Sequence, residues 1–299
     1  MKLFKLLCSF TLVILISTLS PAQNIAAVNE NGNATETIST VKKKQLNFFI
    51  ISKRQKGKFD LATRYNIFRA KFQSIYRHRM FVSIVAQNAA QVSDEILNHL
   101  NNKNARIGTI WFDSHGKYIK GYSLFLIGKD EISYKVLKDS IISSPFNRIA
   151  AFTDDETKLV IGSCYSGATY WRSSIDYKDT TRMNGDSLMF QLGKIFSHAT
   201  IYGSESWVMS KPGLFHQHAA VSGHLTRNLF HDICYKPAWE NLGKWNEYNA
   251  ATKKFTAVNP VTLDTYGNLK IRARAYTGHD NVNKDIAKNL RKLKPGLYR

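Results

Sequence analysis

Two short segments hold side chains able to do covalent chemistry. Asp113-Ser114-His115-Gly116 pairs an imidazole with a glycine, and Gly162-Ser163-Cys164-Tyr165-Ser166-Gly167 carries a thiol between glycines. A thiol needs a base to become a thiolate near neutral pH, and an imidazole within reach supplies it. Acyl transfer also needs donors for the oxyanion that develops on the attacked carbonyl. The backbone N–H groups of Gly116 and Cys164 are candidates, because a glycine lets a substrate carbonyl approach the chain closely. Taken together, these types point to attack on a carbonyl by a thiolate at Cys164, with the His115 imidazole as its base. Such chemistry calls for no cofactor.

The two segments are far apart in sequence, so an architecture must bring them together. From Leu46 onward, short apolar runs alternate with helical periodicity. Leu46–Ser52, Met80–Val85, Ile107–Phe112, Leu159–Gly162 and Thr200–Gly203 are expected strands. Leu61, Tyr65, Phe68, Phe72 and Ile75 recur at three- and four-residue spacing and predict a helix capped by Asp60. Val92, Ile96 and Leu100 predict a second helix, Ile141–Phe152 a weaker one, and Leu188, Leu192 and Ile195 another after Asp186. Residues 117–136 alternate around Gly121 and Gly128 and read as a β-hairpin excursion. Strand–helix–strand repetition with nearly continuous apolar strands implies an α/β fold, a three-layer α/β/α sandwich around a mostly parallel sheet. Ligands and chemistry in such sheets sit beyond the carboxyl ends of the strands. His115 follows the third expected strand and Cys164 the fourth, so neighbouring parallel strands would deliver both to one rim.

Composition narrows the class. The chain has 299 residues, of which 43% are hydrophobic and 21% charged, a globular profile that excludes wholesale disorder, collagen and coiled coil. Lys and Arg number 42 against 22 Asp and Glu, a formal charge of +20, which favours solubility and anionic partners and leaves the fold open. Three cysteines are too few for a disulfide scaffold. Met1–Gln23 reads as a signal peptide: Lys2 and Lys5 precede an apolar run, and Ser20-Pro21-Ala22 offers small residues for cleavage after Ala22. The run is short for a membrane span. The expectation is a secreted or periplasmic protein without a stable anchor after cleavage, in which Cys164 and Cys234 are able to pair. Residues 23–44 read as a flexible linker or pro-segment, and 45–299 as the catalytic domain with a C-terminal β/α extension.

Trp111-Phe112-Asp113-Ser114-His115-Gly116 and Leu159-Val160-Ile161-Gly162-Ser163-Cys164-Tyr165-Ser166-Gly167, in this order and at strand ends, resemble the His-Gly and Cys-x-Ser-Gly ends of the caspase-like cysteine peptidases, the superfamily of caspases, metacaspases, legumains, clostripains and gingipains. The resemblance spans roughly residues 45–205. It implies an endopeptidase that cleaves peptide bonds through a thioester, with Cys164 as nucleophile and His115 as general acid and base; with the leader-like start, the expectation is a secreted one. It also implies that the segment after the next strand, Gly203-Ser204-Glu205-Ser206-Trp207, lines the pocket for the residue before the scissile bond (P1). Ser204, Glu205 and Trp207 are the substrate-binding candidates there, with Glu205 suited to a Lys or Arg and Trp207 to an apolar wall. Two departures stand out. The caspase pattern Gln-Ala-Cys-x-Gly is absent, and Gly162 stands where metacaspase-like members often place an acid.

Other readings compete. Cys164 alone would suit a buried structural thiol, since free cysteines are among the most buried residues. Asp113 is a strand-end hydrogen bonder or an orienting group for His115. His216, His218, His224 and His231 evoke a metal site, but no Cys-x-x-Cys or His-Glu-x-x-His accompanies them, so no metal is expected. An α/β-hydrolase elbow would need its second glycine one place earlier and its histidine after the nucleophile. The basic runs Lys53–Lys58, Lys270–Arg274 and Lys284–Arg299 raise a non-enzymatic alternative, a catalytically inactive caspase-like protein that binds peptide or a polyanion. Residues 216–233 read as a helix, 244–258 and 261–275 as alternating segments around a Tyr266-Gly267-Asn268 turn, and 286–293 as a short basic helix.

Overall fold

A computed structural model describes residues 43–53, pairs of residues between 63 and 72, and residues 81–119, 122–169, 171–173, 180–205, 208–210, 220–222, 244–259, 261–264 and 266–271. The segments read as a signal peptide and, up to Lys42, as a linker, the four histidines at 216–231, Cys234 and the stretch 286–293 expected to be helical all lie outside the described residues.

In chain order the strands are β1 (Lys44–Ser52), β2 (Val82–Ala86), β3 (Ala105–Asp113), β4 (Gly116–Ile119), β5 (Tyr122–Ile127), β6 (Asp130–Ser133), β7 (Lys158–Gly162), β8 (Trp171–Ser173), β9 (Thr180–Arg182), β10 (Thr200–Ser204), β11 (Val208–Ser210), β12 (Ala220–Ser222), β13 (Trp245–Asn249), β14 (Lys254–Val258), β15 (Val261–Leu263) and β16 (Leu269–Ile271). The helices described in full are α1 (Ala89–Asn101), α2 (Ser140–Ala150) and α3 (Gly185–Ile195). Residues 63–64, 67–68 and 71–72 are also helical.

The main sheet has seven strands in the order β14-β13-β10-β7-β3-β1-β2. β10, β7, β3, β1 and β2 run parallel, and β13 and β14 add an antiparallel edge. This is a mixed α/β fold with a mostly parallel sheet, and the five strands expected from apolar runs form its parallel part. Strand alternation divides the side chains between two cores. Phe48, Ile50, Ile110, Phe112, Leu159, Ile161 and Ile201 pack with Val92, Ile96, Leu100, Phe146, Ile149, Leu188 and Leu192 of the three helices. Phe49, Ile51, Trp111, Val160, Tyr202 and Trp245 form a second cluster with Val261 and Leu263, joined by the half-buried Ile67.

Local chemistry starts and stops these elements. Asn88 accepts the N–H of Gln91 and caps α1, and Asp139 accepts the N–H of Ile141 and caps α2. Asn184 precedes α3 without a side-chain cap, and its Oδ1 instead takes the Ser123 N–H from β5.

Three expectations need correction. Phe68 does not face the core: it is 56% exposed and stacks on Phe72, while Ile67 packs inward. At this position apolar spacing alone picks the wrong one of two neighbours, and Leu61, Tyr65 and Ile75 of the expected stripe lie outside the described residues. Within 216–233, expected to be helical throughout, Ala220–Ser222 is a strand, because Val208–Ser210 offers it an antiparallel partner. The excursion after His115 is a three-stranded sheet, β4-β5-β6, rather than a simple hairpin. Asp264 closes the expected turn by accepting the N–H groups of Tyr266 and Asn268. Among the described residues, no helix is long and apolar enough to cross a membrane.

Candidate active site

Parallel pairing of β3 with β7 sets the geometry. Asp113 pairs with Gly162 at the carboxyl end of both strands. His115 and Cys164 each follow two residues later, so the two chains leave the sheet side by side. The next residue makes the proximity measurable. A Cβ on Gly116 would lie 2.0 Å from the Cys164 carbonyl oxygen and 2.7 Å from its nitrogen. Only a residue without a side chain lets the backbone after His115 press against the backbone of the cysteine.

His115 is exposed, and its carbonyl accepts the N–H of Leu126 at 3.1 Å. Gly116 opens β4 opposite Phe125. The small sheet therefore anchors the main chain that carries the imidazole.

Cys164 is half-buried and carries a thiol. It packs against Tyr165, Ala168 and Met183. Its sulfur accepts the N–H of Val208 at 3.5 Å and lies 4.0 Å from the Val208 carbonyl oxygen, within reach of an S–H bond. Tyr165 has φ of 60°, in the left-handed region that a bulky residue adopts at a cost. Its buried position and the Ala168 N–H to Tyr165 carbonyl bond hold that conformation. The effect is a tight turn directly after the cysteine.

Ser166 fixes this turn to the sheet. Its buried Oγ is within donating distance of the carbonyls of Ile161 (2.9 Å) and Ser163 (3.0 Å), and it accepts the N–H of Ser204 at 3.1 Å. Gly167 donates in turn to the Ser204 carbonyl at 2.8 Å. Ser204, a substrate-binding candidate, is fully buried, with both main-chain groups engaged in holding the cysteine loop.

Glu205 follows at the same rim, 9% exposed. Its Oε1 accepts from Asn246 Nδ2 at 2.9 Å, and the same amide donates to the Gly167 carbonyl at 2.8 Å. One buried side chain thus ties the acid after β10 to the loop after β7. Trp207 lies outside the described residues. Gly162 is explained by its neighbour: a Cβ there would lie 2.4 Å from Nε1 of the buried Trp111. The indole occupies the space that an acid two residues before the cysteine would need.

Sequence reasoning missed Ser166, Asn246 and Val208. Ser166 sits in a quoted motif, but its part is to bond two main chains, which no motif spells out. Asn246 reaches the site from a strand 79 positions beyond Gly167, and Val208 acts through its backbone. Ser114 and Ser163 flank the pair and place buried hydroxyls without hydrogen-bond partners at this rim. Among the described residues, no group of three His, Cys, Asp or Glu is placed to hold a metal ion. No family model matches the chain, and no curated protein matches it.

Proposed function

We propose that this protein is a secreted cysteine endopeptidase with a caspase-like α/β/α sandwich. Cys164 and His115 form its catalytic dyad. The observation that carries the reading is the contact between Gly116 and the Cys164 backbone, which leaves the imidazole-bearing and thiol-bearing residues no room to be far apart.

The chemistry follows from the residue types. The Cys164 thiolate attacks the carbonyl carbon of a peptide bond, and a C–S bond forms. The oxyanion takes hydrogen bonds from the N–H groups of Gly116 and Cys164. His115, protonated, gives its proton to the leaving amine as the C–N bond breaks. The thioester is then opened by water, which His115 deprotonates, and the C–S bond breaks to release the acid. The sulfur leaves as thiolate, and His115 keeps the proton for the next turnover. Glu205, held by Asn246 at the same rim, favours a Lys or Arg at P1.

A peptide-library cleavage profile, combined with labelling by a thiol-directed acylating probe, tests the reading. Hydrolysis and labelling by wild type, both lost in Cys164→Ala, support it. A wild type that neither cleaves nor labels under reducing conditions sinks it. The non-enzymatic alternative, a binding protein for peptide or polyanion, rests on the charge of +20.

A further inference from the structure

We infer that the main-chain N–H of Val208 is a resident hydrogen-bond donor to the Cys164 sulfur and favours its thiolate. This deepens the peptidase reading, but its test reads ionisation and needs no turnover.

The geometry comes from two pairings. Val208 is the first residue of β11 and pairs antiparallel with Ser222 of β12. In an antiparallel ladder, alternate residues direct both N–H and C=O either toward the partner strand or away from it. Both groups of Val208 lie at the Cys164 sulfur, at 3.5 Å and 4.0 Å. They therefore point away from Ser222. The edge of β11 away from β12 is turned onto the thiol.

The consequence is asymmetric between protonation states. A thiol uses both groups, donating to the carbonyl and accepting from the N–H. Of these two groups a thiolate keeps the N–H bond, which strengthens as the acceptor becomes charged. A donor that bonds the charged form more tightly shifts the equilibrium toward it. The neighbouring carbonyl opposes this weakly, because its distance is the longer. Ionisable residues also sit on the elements around the cysteine loop. Asp113 ends β3 and His115 follows it, Tyr165 is adjacent, Arg182 ends β9 beside Met183, Glu205 follows β10, and Lys244 precedes β13. None of them changes in the variants below, so a difference between variants isolates the Val208 N–H.

The measurement is the thiolate absorbance near 240 nm against pH in the full chain, taken as the difference from Cys164→Ser so that other thiols cancel. In one variant the Val208 amide is replaced by an ester through incorporation of the α-hydroxy acid. In a second, Val208→Pro removes the same hydrogen, at the first position of a strand, where proline is tolerated. Val208→Ala keeps the N–H and alters only the side chain. The ester and the proline are expected to raise the titration midpoint by about one pH unit, with the alanine at the wild-type midpoint. An ester variant that titrates with wild type overturns the inference, as does an alanine variant that shifts as far as the ester. Peptide hydrolysis is scored separately, so its absence removes the peptidase reading and leaves this result standing.

Discussion

Gly116 and Cys164 meet backbone to backbone, close enough that a methyl group on the glycine would overlap the cysteine carbonyl oxygen. Parallel register creates this contact. Asp113 and Gly162 are the last paired residues of β3 and β7, and both chains continue in step beyond them.

The first prediction concerns that contact. Gly116→Ala forces the β4 entry away from the cysteine loop, and rigid backbone on the other side leaves little room to yield. It should cost about 3 kcal/mol of stability and slow acylation of Cys164 at temperatures where the variant is folded. Thermal unfolding and probe-labelling rates measure the two effects. A variant with wild-type melting and labelling would contradict the contact.

Cys164→Ala should lower peptide hydrolysis on the order of 10³-fold or more, with an unchanged melting profile. The side chain is only half-buried, so little packing is lost. Single-turnover hydrolysis and circular dichroism check the two halves of the statement.

Ser166→Ala leaves the buried N–H of Ser204 without its acceptor and frees the turn after the cysteine. The expected destabilisation is about 2 kcal/mol, a drop of several degrees in Tm, with slower labelling at Cys164. Calorimetry on both proteins decides it.

Glu205→Gln keeps the shape and the bond from Asn246 but removes the charge. Activity toward substrates with Lys or Arg at P1 should fall about tenfold in kcat/KM, with little change for neutral P1. Equal losses for both classes would show that Glu205 is structural.

Tyr202 supplies a pH test of the fold. Burial, with Glu247 beside it on β13, pushes its hydroxyl well above the usual tyrosine range. The neutral form is the one the folded state favours. Above about pH 10 an unfolded chain releases this proton and the folded one keeps it, so stability falls as pH rises. The contribution is intact at lower pH. Tyr202→Phe should flatten the alkaline decline in urea midpoint while costing about 1 kcal/mol at neutral pH through the lost bond to Glu247.

The amino-acid order alone identifies the parallel strands, because residues buried on both faces of a sheet must be continuously apolar, as in Phe48–Ile51 and Leu159–Ile161. It also places His115 and Cys164 just past two of those strands, since chemistry-bearing residues cannot interrupt a buried run. It does not reveal which of Ile67 and Phe68 turns inward, because both are apolar and only the sheet beneath chooses between them. Nor does it reveal that Ala220–Ser222 is extended, since strand pairing depends on a partner elsewhere in the chain. The supports of the candidate site belong to the tertiary structure for the same reason. The Ser166 hydroxyl and the Asn246 amide act by reaching other backbones once β7, β10 and β13 lie side by side, and the Val208 N–H reaches the Cys164 sulfur only once β11 is placed against the cysteine loop.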